Sequence, residues 1–350
     1  MHTAKLIALI RAPESVADLT GEDWNDIVLS GRKNQLLGQL AALFDRHGQW
    51  ADIPTAVQRH LRLELLTAQR RGESALWELT TIRRMVNLAV GLTVLKGCAY
   101  VAAGDINHAG RSFSDVDVMV PRELLQGVET DLIGGGWKPS TVDAYDEAYY
   151  RNWMHEVPPM EHVRRHTVLD LHHAINPPVA DYYVNPAHLM ASRRELFPGV
   201  FVLAPLDRVI HCAIHLIQEG EPKKLLRDLY DLHLLLGQHC VGKNGLQPLF
   251  SRARDLGVQP LVSSAVAASA QVFAQPLGGF PTTLLQKCLV VAAKNAQNTG
   301  SLPGWWAGIA ILVYSHWIKM PLKLLVPHLC RKSVKSIFSN DDEKNRENQA

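Results

Sequence analysis

With 350 residues, 47% hydrophobic and 20% charged, the chain has room for one large domain or two to three modest ones and the composition of a globular protein. A net charge of +2 excludes any case for nucleic-acid binding from overall charge, and leaves electrostatic steering to local patches. The five cysteines (Cys98, Cys212, Cys240, Cys288 and Cys330) are scattered, odd in number and without a C-x-x-C pair, which excludes a disulfide scaffold or zinc ribbon and fits a reducing compartment.

The apolar run after Met1-His2-Thr3-Ala4-Lys5 is too short and too soon charged for a signal peptide, so a cytoplasmic location is expected. Residues 1–88 read as a helical region. Between Val57 and Val90, Leu61, Leu65, Leu66, Ala68, Leu76, Leu79, Ile82 and Val86 recur near helical spacing, with a local break expected at Arg70-Arg71-Gly72. Thr93-Val94-Leu95 is a short strand ended by Lys96-Gly97, and Cys98–Ala103 a helix stopped at Gly104. A loop holding Asp105, Asn107, Gly110 and Arg111 leads into a second strand, Asp115–Val120. Pro121 closes it and opens a helix over Arg122–Leu132, ended by Gly134-Gly135-Gly136. Thr167–His172 reads as another strand, with Asp170 inside it. From Asn176 on, Pro177, Pro178, Pro186, Pro198 and Pro205 punctuate irregular connections, and helical patterns dominate from Leu206 to about Ile337. Ser339–Ala350 is polar, without apolar spacing, and is expected to be disordered. The expected organisation is a helical region (1–88), a catalytic core (89–175), a C-terminal helical domain (176–338) and a tail (339–350).

The chemistry concentrates in Ser114-Asp115-Val116-Asp117-Val118-Met119-Val120. Alternate side chains of a strand share a face, so Asp115 and Asp117 point one way and Val116 and Val118 the other. Carboxylates held so closely repel unless a cation lies between them, and Mg²⁺, with Mn²⁺ as the alternative, is the hard ion that suits them. A solvated strand end would carry the same pair, but it does not account for the Leu95-Lys96-Gly97 turn upstream. There, exposed helix-start amides and the positive end of the dipole favour phosphate, and glycine lets the backbone approach. Asp170 adds a third carboxylate from a separate strand. Phosphoryl-group transfer uses such a set: two divalent ions about 3.5–4 Å apart clamp the attacking and leaving oxygens. A third aspartate completes one ion's shell and takes the acceptor's proton.

Asp115, Asp117 and Asp170 are therefore the candidate catalytic and metal-binding residues, and Lys96, Gly97 and Arg111 the candidate nucleotide-phosphate contacts; Arg111 would equally organise the acidic strand by ion pairing, and the rival reading of Asp170 is a strand-end cap or a partner for Arg164 or Arg165. His172, on the strand face of Asp170, is a candidate for supporting them from behind. Asp228 and Asp231, three apart on a helical run, either close the site or hold cationic partners across a helix interface. His211 and His215 lie four apart but lack the glutamate of a zinc-protease motif, and read as packed histidines.

Together Leu95-Lys96-Gly97, Arg111-Ser112-Phe113-Ser114-Asp115-Val116-Asp117-Val118-Met119-Val120 and Leu169-Asp170-Leu171-His172-His173 resemble the bacterial family of uncharacterised nucleotidyltransferases, within the polymerase-β-like superfamily. That family reads L-K-G, then R followed shortly by D-[IV]-D-[LV]-[LM]-V, then D-L-H-[HW]. His155-Glu156-Val157-Pro158-Pro159 and Asn176-Pro177-Pro178 add to the resemblance, which covers roughly residues 60–235 and is densest over 93–175. It implies an α+β fold: a polymerase-β-like core of a small mixed sheet with helices, flanked by N- and C-terminal helical regions. It also implies Mg²⁺-dependent transfer of a nucleotidyl group from a nucleoside triphosphate to an acceptor (small molecule, saccharide or peptide), with release of pyrophosphate. The wider superfamily carries Gly-Gly or Gly-Ser in the phosphate turn; with Lys96-Gly97-Cys98 here, a lysine point charge would replace the serine contact.

Two other functions compete. One is an RNA-modifying or toxin-like nucleotidyltransferase, disfavoured by the near-neutral charge and the lack of an aromatic–basic stripe that would mark a nucleic-acid surface. The other is a non-catalytic nucleotide-binding protein docked at a membrane surface. Gly304–Lys319 bears on it, being apolar with aromatics at both ends and followed by Lys323, Arg331, Lys332 and Lys335. It reads first as a buried helix and second, over 304–335, as a peripheral contact with the inner face of the membrane.

Overall fold

The computed structural model describes residues 2–87, 89–140, 143–242, 244–276, 281–295, 301–328 and 331. Its strands are β1 (Leu92–Val94), β2 (Asp115–Met119), β3 (Trp137–Pro139), β4 (Met160–His162), β5 (Val168–His172), β6 (Arg194–Phe197) and β7 (Val200–Val202). They form one seven-stranded mixed sheet in the order β3-β4-β5-β2-β1-β7-β6. Around it lie the helices α1 (His2–Arg11), α2 (Gly21–Lys33), α3 (Leu37–His47), α4 (Thr55–Met85), α5 (Lys96–Ala103), α6 (Leu125–Gly134), α7 (Ala144–Trp153), α8 (Pro186–Met190), α9 (Pro205–Glu219), α10 (Leu225–His239), α11 (Leu246–Asp255), α12 (Gln259–Phe273), α13 (Leu284–Asn295) and α14 (Leu302–Lys319), followed by a short helix over Leu322–His328. The α+β class expected from the sequence is the class the chain adopts.

The two faces of the sheet centre differ as the alternation of β2 and β5 requires. Val116, Val118, Leu169 and Leu171 are buried in one core with Leu79 and Ile82 of α4 and Val128 and Leu132 of α6. The odd-numbered β2 residues and the even-numbered β5 residues take the other face, where Asp115, Asp117 and Asp170 line a cleft. A second core joins α1–α3 to α9–α13, so helices from both ends of the chain share one apolar interior.

The break expected at Arg70-Arg71-Gly72 does not occur. Helix α4 runs unbroken for 31 residues because Gly72 is buried where α4 packs on Val101 of α5. The helix expected from Arg122 begins as a short 3-10 turn, Arg122–Leu124, before α6. Four strands and α7 lack a sequence signal: β3, β4 and β7 are three residues long, too short for a period to register. Helix α14 is buried on one side only, with Trp305, Trp306 and Trp317 more than half exposed, which corrects the reading of a buried helix. The predicted tail, 339–350, lies outside the described residues.

One backbone contact fixes the loop that feeds β2. Gly110, at φ +75°, lies directly against Gly38 of α3, and a Cβ on Gly110 would collide with the Gly38 carbonyl. Gly110→Ala is expected to cost about 3 kcal/mol, from left-handed strain plus overpacking. Gly104→Ala, at φ +67° but in open space, should cost only about 1–2 kcal/mol. Urea denaturation of the two variants checks the difference.

Candidate active site

The Lys96-Gly97 turn leads from β1 into the first turn of α5. Lys96 sits at φ 48°, a left-handed conformation uncommon for a side chain with a Cβ. Its Nζ lies 2.7 Å from Asp117 Oδ1. A Cβ on Gly97 would stand 2.7 Å from both the Arg111 guanidinium and the Phe113 ring, so glycine is what allows the 111–113 segment to lie on the helix start.

In the parallel pairing of β2 and β5, Asp117 stands opposite Asp170, and Asp115 opposite Val168. Adjacent strands lie about 4.8 Å apart, so this register forces the two aspartates together. Potential ligand atoms of Asp117, Asp170 and His172 all lie within 4.8 Å of one another. Asp115 belongs to the same cleft but not to this group. His172 Nε2 pairs with Asp117 Oδ1 at 2.9 Å. Behind it, Glu156 Oε2 lies 3.3 Å from His172 Nδ1 and 3.8 Å from His155 Nε2, giving a second group of three potential ligands.

Electrostatics separate the two central carboxylates. Burial pushes Asp117 up, but the Lys96 ammonium and His172 outweigh it and hold the carboxyl well below the usual range. Asp170 moves the other way: burial, then the charges of Asp117 and Glu156, push it up to about 7. Asp170 Oδ1 is buried and has no hydrogen-bond partner among the described residues. Two adjacent carboxylates, one of them unsatisfied, fit a divalent cation with oxygen ligands.

Around these acids is a cleft of about 360 Å³, ringed by cations that include Arg71, Lys96, Arg111, Lys224, Arg227 and Lys319. Arg111 is not paired with the acidic strand. Its Nε donates to Asp231 Oδ2 of α10 at 2.6 Å, and Asp231 Oδ1 also accepts from Gln39 and Asn107. Asp228 pairs with Arg227. Asp231 thus holds an arginine from the loop before β2, whereas Asp228 pairs with its own neighbour on α10, so neither pair bridges two helices as the sequence reading expected. Asp170 does not pair with Arg164 or Arg165; the Arg165 guanidinium is bound by Glu78. Beside the cleft, a second cavity of about 620 Å³ shares Arg71, Phe113, Ser114 and Asp115 with it and extends past Trp77, Glu78 and Arg165.

Glu156 and His155 join the site although the sequence marks them only as part of the His155–Pro159 motif, with no local sign of a role there. Lys224, Arg227 and Lys319 had no signal, since only tertiary packing brings them to the strands.

His211 and His215 stand beside Lys96 and belong to neither group of potential metal ligands. Burial first, then the Lys96 charge, lowers His211 to about 3. The histidine is buried neutral and takes up a proton on unfolding, so its stabilising contribution is present above about pH 6.5 and declines as pH falls. Lowering the pH from about 7 to about 5 should cost about 2 kcal/mol through this group. His211→Phe should flatten that part of the profile, read by denaturant titration at each pH.

No curated protein and no solved structure matches the chain. A family profile does, over residues 20–274, a span that contains the β1–α5 turn, both acidic strands and the α10 acids. By that match and by the motifs that line the cleft, the chain belongs to the family of uncharacterised nucleotidyltransferases.

Proposed function

We propose that the chain is a Mg²⁺-dependent enzyme that transfers the nucleotidyl group of a nucleoside triphosphate to a small hydroxyl-bearing acceptor, releasing pyrophosphate. The observation that carries this reading is the in-register pair Asp117 and Asp170, whose unsatisfied carboxylate oxygen faces a cleft ringed with cations. Asp117 and Asp170, with Asp115 beside them, would hold the metal. When bound, Mg²⁺ (or Mn²⁺) supplies charge neutralisation at the reacting phosphate. Lys96 and Arg111, on either side of Gly97, bind phosphate oxygens, and the fixed Asp231 contact keeps the Arg111 guanidinium oriented. Asp170 accepts the proton of the acceptor hydroxyl at a carboxylate oxygen. The adjoining cavity, which shares Asp115 with the cleft, holds the acceptor, with the exposed Trp77 ring on its wall.

The test is incubation of the full chain with each α-labelled nucleoside triphosphate, Mg²⁺ or Mn²⁺ and cell extract. Pyrophosphate release with label on a small acceptor supports the reading. Label only on RNA replaces the acceptor class, and turnover that Asp170→Asn leaves untouched removes Asp170 from the mechanism. No turnover of any triphosphate overturns the activity.

A further inference from the structure

We infer that the outer face of α14, continued by the helix Leu322–His328, docks on an anionic lipid bilayer. Helix α14 is built the opposite way to a core helix. Its small side chains, Ala307, Gly308 and Ser315, are buried against the protein together with Ile311 and Ile318, while its largest ones point outward. Trp305, Trp306, Val313 and Trp317 are each at least 54% exposed, and Leu322 and Val326 of the next helix are about half exposed. No charged residue lies on α14 before Lys319 at its end. Contiguous apolar exposure on this scale marks an interaction surface, and tryptophan is the side chain that favours a membrane–water interface.

Charge selects the occupant. Residues 256–340 contain no aspartate or glutamate, while the same stretch carries Lys287, Lys294, Lys319, Lys323, Arg331, Lys332 and Lys335. Lys323 is exposed between Leu322 and Val326, and Lys287 and Lys294 are exposed on α13, the helix packed against α14. A second copy would bring cations against cations, whereas anionic headgroups complement them. No single helix among the described residues is long and apolar enough to cross a membrane; α14 and Leu322–His328 reach that length and apolarity only together, and they bend by 118° at their junction, so each lays its exposed apolar side chains along a surface. Lys319, at the end of α14, lines the catalytic cleft. Docking therefore sets the cleft beside the bilayer, and does so whether or not the nucleotidyl-transfer reading holds.

The test is co-sedimentation of the full chain with vesicles of phosphatidylcholine alone or mixed equally with phosphatidylglycerol. Binding to the mixed vesicles, weakened by salt, is expected, together with quenching of tryptophan fluorescence by brominated acyl chains. Trp306→Ser and Trp317→Ser should each lower the bound-to-free ratio about tenfold, with the unfolding midpoint unchanged because both positions face solvent. Absence of binding to the anionic vesicles overturns the inference, as does equal binding by the variants. A self-association that these substitutions abolish, without vesicle binding, assigns the face to a second copy and equally overturns it.

Discussion

Asp117→Asn is expected to lower nucleotidyl transfer about a thousandfold, since removing one carboxylate from a metal-assisted site forfeits several kcal/mol of charge stabilisation. The size of the side chain is kept, so Lys96 Nζ and His172 Nε2, at 2.7 and 2.9 Å from Asp117 Oδ1, still have an oxygen beside them. What disappears is the charge. Asp117 also helps to push Asp170 up, so in the metal-free variant Asp170 should titrate lower. Mg²⁺ should raise the unfolding midpoint of the wild type and not that of Asp117→Asn. Pyrophosphate release at saturating Mg²⁺ and triphosphate is the measurement. A loss of less than tenfold would mean that the chemistry lies elsewhere in the cleft.

The largest effect on stability is expected from Asp105→Ala, at about 3–5 kcal/mol. Asp105 is fully buried and accepts from Nε and Nη2 of Arg208, each at 2.6 Å, and from His239 Nε2 at 2.8 Å. Arg208 lies on α9 and His239 on α10, so this one carboxylate ties the end of α5 to two helices of the other core. Truncation leaves a buried guanidinium without its counter-charge, and the Nη1 bond to Leu203 O cannot make up the loss. Asp105→Asn, which still offers one acceptor, should lose less. Urea denaturation followed by circular dichroism would rank the two. A cost near 1 kcal/mol for the alanine variant would show that Arg208 finds water or another partner.

The legible parts of this chain were those encoded locally. The acidic alternation of β2, the strand carrying Asp170 and the Lys96-Gly97 turn could each be read from a handful of neighbouring residues. The register that sets Asp117 against Asp170 could not, because nothing local specifies which strand is the neighbour. The same holds for Arg111: its partner Asp231 is 120 residues away, and the pairing depends on α10 crossing the loop before β2. Strands β3, β4, β6 and β7, three or four residues each, escaped because a period of two needs more length to register, whereas the equally short β1 was marked by the Lys96-Gly97 turn that follows it. In α14 the composition was plain, but the direction of the tryptophans was decided by where α9 and α13 lie.

The shared interior of α1–α3 and α9–α13 also has a kinetic side. Arg11 donates its Nε to the carbonyl of Val272, 261 residues later. At about 5–20 residues per second of synthesis, tens of seconds pass between the emergence of the two. Through that interval Leu6, Leu9 and Ile10 of α1 lack much of the apolar surface that finally covers them. Contacts of such long sequence separation fold late, so the nascent N-terminal helices present a sticky surface to chaperones while the central sheet, whose strands lie within residues 92–202, can already assemble.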